Sequence, residues 1–165
     1  MIVNRQRRVR VPLRPLELFV DRVNEALGLS NQGWTVCLVS DAEIARMNRM
    51  FRGKRGATDV LSFPANGTRR SQAKWRKQAK AIRDSSGFSF ASSASSTSSA
   101  SYLGDIAISP ETARRNAHRF GRTLPDELRI LILHGVLHLL GYNHEVDQGE
   151  MSRLERRLRQ QLGLR

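Results

Sequence analysis

The stretch "HGVLHLLGYNHE", residues 134–145, places His134, His138 and His144 within eleven positions of a chain that has only four histidines. His134 and His138 are four apart, so on a helix their rings project from one face, one turn apart. Gly141 allows that helix to stop, and Tyr142 and Asn143 carry the chain round to His144. Three neutral imidazoles with a fourth position open is the arrangement of a catalytic zinc site, whereas structural zinc sites are closed by four protein ligands. The competing reading is three core histidines satisfied by backbone carbonyls. The glycine at the turn and the presence of three rings rather than two favour one bound Zn2+.

The spacing also matches the long zinc-peptidase signature H-E-x-x-H-x-x-G-x-x-H, glycine included. The residue after the first histidine is Gly135, where those peptidases require glutamate as general base. The pattern therefore keeps a metal cage and lacks the peptidase base.

The elements that must position these residues follow from periodicity. Residues 2–11 alternate as an edge strand would. The run 12–28 carries Leu16, Phe19, Val20, Val23 and Leu27 at helical spacing and is closed by Gly28. "WTVCLVS" is a buried strand. Ser40 and Glu43 form a capping box for "DAEIARMNRMF", followed by the glycine-containing turn "RGKRGA" and the short strand "TDVLSFP". "YLGDIAIS" is a further strand. Ser109 and Pro110 start a helix that Gly121 ends. "LPDELRILILHGVLHLLG" is apolar nearly all round and so reads as the central helix. A charged amphipathic helix with Met151, Leu154, Leu158 and Leu162 closes the chain. This order predicts a single α/β (α+β) domain over 1–165, with a small mixed β-sheet covered by about five helices and a zinc cleft beside the central helix.

Residues 65–101 interrupt the pattern. The first part, 65–84, holds seven basic residues and one acid, and the second, 85–101, is ten serines in seventeen positions. The composition predicts a largely disordered insertion, in which Trp75 could stack on an unpaired base.

Lysine and arginine number 28 against 15 aspartates and glutamates, a formal charge of +13 that points to a polyanion partner. No apolar run is long enough to span a bilayer, and the N-terminal residues lack the pattern of a secretory signal. The single cysteine, Cys37, lies in an apolar run where a buried, inert thiol is expected. Together these features suggest the cytoplasm. His118, alone among arginines, reads as a surface residue. Asp59 and Asp105 sit where turns and strand caps favour aspartate, and are left out of the site.

With these residues in view, "HGVLHLLGYNH" closely resembles the H-G-x-L-H-L-x-G-Y-D-H signature of the YbeY family, bacterial zinc-dependent endoribonucleases that act as ribosomal RNA maturation factors. "NRMFRGKRGATDVLSFP" (48–64) and "LGDIAIS" (103–109) are similar to the family's other two blocks, in the same order. The resemblance implies single-strand-specific endoribonuclease activity, processing of the 3′ end of small-subunit (16S) ribosomal RNA, and ribosome quality control with the small ribosomal subunit as partner. It implies His134, His138 and His144 as ligands of one Zn2+, and Arg52, after the aromatic Phe51, as the functional arginine. Two features depart from the family: Asn143 stands where an aspartate is expected, and the 65–101 insertion is long. The rival readings are a noncatalytic RNA-binding or ribosome-associated factor and a zinc metallopeptidase.

Overall fold

The computed structural model describes residues 1–65, 101–142 and 147–164. Strand β1 (Ile2–Asn4) is followed by helix α1 (Leu13–Leu27), β2 (Gln32–Leu38), α2 (Asp41–Arg52), β3 (Val60–Pro64), β4 (Ser101–Ile108), and helices α3 (Pro110–Arg119), α4 (Leu124–Leu139) and α5 (Glu150–Gln161). The four strands form one mixed sheet in the order β1-β2-β4-β3. β1, β2 and β4 are mutually parallel, and β3 runs antiparallel on the edge of β4. Among the described residues, the predicted element order and mixed sheet with five helices are found. Most of the 65–101 insertion lies outside the described residues, although Ser101 itself opens β4.

The edge strand predicted over 2–11 is shorter. β1 stops at Asn4. The buried Gln6 side chain donates to Val9 O at 2.8 Å and accepts from Val9 N at the same distance, closing a local loop. Val9 and Val11 still alternate because they pack into the core, not because the backbone is paired.

Helix boundaries follow local chemistry. The Ser40–Glu43 capping box is present at the start of α2. Ser109 caps α3 through Thr112 N. Thr123 caps α4 by accepting from Asp126 N. Gly28 ends α1 at φ 66°, a left-handed conformation that costs glycine nothing. His118 is exposed on α3. Cys37 is buried in β2, and burial pushes its thiol up to about 12, which keeps it protonated.

One sheet face packs Trp34, Val36, Ile106 and Ile108 against α1, α4 and α5. The other packs Cys37, Leu61, Phe63 and Ala107 against Ile44 and Met47 of α2. From Ile130 to Leu139 every residue of α4 is buried except His134 and His138, which are half-buried. This agrees with the central position expected of α4.

Gly135 sets how closely α4 approaches the sheet. A Cβ there would lie 2.7 Å from Ile106 Cγ2 and 3.0 Å from its Cδ1, and Ile106 is fully buried. Helix propensity alone would favour alanine by about 1 kcal/mol, but overpacking costs about 1–3 kcal/mol. Gly135→Ala is therefore expected to lower stability by about 1 kcal/mol, read from the urea midpoint. A more stable variant would show that the contact relaxes freely.

Candidate metal and RNA cleft

α4 presents His134 and His138 from the only two stations of its buried segment that reach solvent. The helix ends at Leu139. Gly141 follows at φ 94°, with Gly141 N donating to His138 O and Tyr142 N to Leu137 O. The helix thus stops at this glycine, as its sequence suggests. His144 and Asn143 lie outside the described residues.

The two rings meet nearly edge to face, with centroids 4.7 Å apart and planes at 75°. Their Nε2 atoms are 3.1 Å apart. His134 Nδ1 lies 3.0 Å from Glu155 Oε2 on α5. A carboxylate only accepts, so the proton of a neutral His134 sits on Nδ1 and its lone pair on Nε2. Glu155 is fixed in turn by Arg159, whose Nη2 donates to Oε1 at 2.5 Å. Burial by itself would raise the Glu155 carboxyl. The hydrogen bond from His134 and the charge of Arg159 outweigh it and hold the group below the usual carboxylate range.

These donors fit a metal ion. Two imidazole nitrogens on one tetrahedral zinc, each about 2.0–2.1 Å away, stand roughly 3.3 Å apart. The carboxylate behind His134 is the partner that metal-ligating histidines usually have. Among the described residues no group of three His, Cys, Asp or Glu converges on one point.

His134 and His138 form one wall of a cleft of about 580 Å³ that runs along the edge strand β3 and is also lined by Arg52, Asp59 and Phe63. Arg52 is exposed in the last turn of α2, immediately before Gly53, which caps the helix at φ 69°. Phe51 packs edge-on against Phe63 of β3, ring centroids 5.0 Å apart, and fixes this end of α2 over the cleft. Ser62 Oγ donates to Gly135 O at 3.1 Å, joining β3 to the helix that bears the histidines. The structure therefore brings Arg52, distant in sequence, into the same cleft as the two histidines.

Of the two aspartates left aside, Asp59 also lines the cleft. Its Oδ1 accepts from Val60 N at 2.8 Å and its Oδ2 from Asn116 Nδ2 at 3.0 Å, so it caps β3 and ties it to α3. Asp105 is adjacent to Ile106, which faces α4, and so points to the opposite face of the sheet. There it is buried and accepts from Tyr102 OH at 2.7 Å, and desolvation pushes its carboxyl up to about 6. Glu155 and Arg159 are the site residues that sequence reading missed. Their only signal is a charged i,i+4 pair on an amphipathic helix, which any solvated helix also carries.

A family model described as Endoribonuclease YbeY matches residues 1–163. The chain is 43% identical over 127 residues to "Endoribonuclease YbeY" of Solibacter usitatus, an alignment covering 77% of this chain and 64% of the relative, just under two thirds of the latter's length. It is 40% identical over 164 residues to the protein of the same name in Koribacter versatilis, covering 99% of this chain and 86% of that one. The solution structure of TM1509 from Thermotoga maritima shares the fold, with TM-score 0.56 and 24% identity, covering 98% of this chain and 89% of that one.

Proposed function

Because the chain belongs to the YbeY endoribonuclease family, we propose that it is a zinc-dependent endoribonuclease that cuts single-stranded RNA, and that its substrate is the 3′ region of small-subunit ribosomal RNA. The observation that carries this reading is the Nε2 pair of His134 and His138, 3.1 Å apart, in a cleft shared with Arg52. The net charge of +13 suits an RNA substrate. None of the described helices is long and apolar enough to cross a membrane. Association with the small ribosomal subunit in the cytoplasm, and a part in ribosome quality control, belong to the same proposal.

His134, His138 and His144 would hold one zinc ion, which supplies Lewis acidity toward a phosphoryl oxygen and toward an attacking water. Glu155 keeps the proton of His134 on Nδ1, so Nε2 would be the atom that binds the ion. Arg52 holds the scissile phosphate through its guanidinium fork and offsets the charge that grows on the phosphoryl oxygens in the transition state. Phe51 and Gly53 fix the helix end from which Arg52 reaches. Asp59 caps β3 and ties it to α3 beside the cleft.

The peptidase alternative needs a carboxylate at position 135. The space above Gly135 is filled by Ile106, so a glutamate side chain there would displace the core. Incubated with single-stranded RNA, the zinc-loaded protein is expected to cut internally, to spare a duplex of the same sequence and to leave casein intact. RNA binding without cleavage would favour the noncatalytic ribosome-associated factor, and casein digestion would favour the peptidase.

A further inference from the structure

Phe120 lies outside the apolar core of the described residues. It is 55% exposed. The other large apolar side chains exposed among the described residues are Met1 and Leu18, neither of them aromatic. The Phe120 ring lies against two guanidinium groups, with Arg119 and Arg122 at 5.7 and 5.3 Å from its centroid. Arg122 is itself anchored on Glu127 at 3.0 Å, so this side of the ring is held. Between Pro110 and Thr123 there are four arginines and one glutamate. Arg114, Arg115 and His118 are exposed on the same helix.

The position of this patch relative to the cleft follows from hydrogen bonding. Phe120 N donates to Asn116 O at 2.9 Å, so Phe120 stands one helical turn beyond Asn116 on the same side of α3. The Asn116 side chain donates to Asp59, which lines the cleft. Phe120 thus stands one helical turn from the residue that bonds Asp59 at the cleft.

We infer that Phe120, with Arg119 beside it, is a stacking platform for an unpaired base of single-stranded RNA, where the strand passes from the cleft over the end of α3. The inference rests on the RNA-cleaving reading above and adds to it a subsite for bases flanking the cut. The chemistry suits a single strand. An exposed ring is a face for any unpaired base, and arginine adds cation–π attraction and a contact to the phosphate. A duplex keeps its base faces stacked and offers nothing to this ring.

The test uses the zinc-loaded protein and a short single-stranded RNA carrying 2′-O-methyl groups, with binding read by fluorescence anisotropy across a salt series. Phe120→Ala is expected to weaken binding about tenfold while leaving the slope of log affinity against log salt unchanged, because no charge is lost. Phe120→Trp should restore the affinity. Arg119→Ala should instead make the slope shallower by about 0.7. Leu18→Ala, which removes an exposed apolar side chain on α1, should bind as wild type does, and a duplex probe should not distinguish Phe120→Ala from wild type. Wild-type affinity in Phe120→Ala, or an equal loss for duplex and single strand, would overturn the platform while leaving the endoribonuclease reading intact. A wild-type protein that binds and cleaves no RNA would overturn both.

Discussion

His138→Ala is expected to abolish cleavage of single-stranded RNA and to leave the protein with less than stoichiometric zinc after dialysis. The imidazole is half-buried on an otherwise buried stretch of α4, so alanine removes it without opening a cavity in the core, and the folded state should persist by circular dichroism. Zinc affinity should fall by more than the 10–100-fold that loss of an outer hydrogen-bond partner typically costs, because a donor atom itself is gone. Glu155→Gln provides the graded comparison. An amide retains the shape of the side chain and can still accept from His134 Nδ1, but it carries no charge and can also turn its NH2 toward the ring. It should weaken zinc binding by about 10–100-fold, with cleavage recovering when zinc is added in excess. Zinc content measured by mass spectrometry, with affinity from chelator competition, checks both variants. Full occupancy in His138→Ala would remove the histidine pair from the metal site. Unchanged affinity in Glu155→Gln would reduce the Glu155 contact to a packing interaction between α4 and α5.

Arg52→Ala should separate chemistry from metal binding. The side chain sits at the exposed end of α2, where the left-handed cap at Gly53 and the Phe51–Phe63 contact hold the backbone independently of it. Stability and zinc content should therefore stay at wild-type levels. The turnover number should fall by about 10²–10³, the range measured when one preorganised donor to a developing oxyanion is removed. KM should change less, because the phosphate gains charge and contact chiefly in the transition state. Arg52→Lys should recover only part of the rate, since an ammonium supplies the charge but not the planar two-donor fork. A variant that cleaves like wild type would remove Arg52 from the reaction. A loss confined to KM would make it a ground-state binding residue.

The sequence by itself determined what depends on neighbours along the chain. The capping box at Ser40 and Glu43, the Ser109–Pro110 helix start and the left-handed glycine after α1 are contacts within a few residues, so composition and order encode them directly. The same is true of the four-residue spacing that sets His134 and His138 on one face of α4, and of the apolar surround that makes this helix central. Where side-chain pairing competes with backbone pairing, alternation misleads. Residues 2–11 alternate like a strand, yet the Gln6 amide closes a loop on Val9 and ends β1 at Asn4. Only the tertiary structure decided the contacts between elements. Glu155 reaches His134 across 21 residues of chain, and nothing in a charged amphipathic helix says which of its carboxylates will meet a histidine. Arg52 and the histidines share a cleft because α2 and α4 both pack against the edge strand β3. Gly135 reads in the sequence as a missing base. In the fold it is a close approach to Ile106 that leaves no room for one. Local patterns record the periodicity of one element, while the approach of two elements is set by side-chain volumes on both, and that sum exists only once the chain has packed.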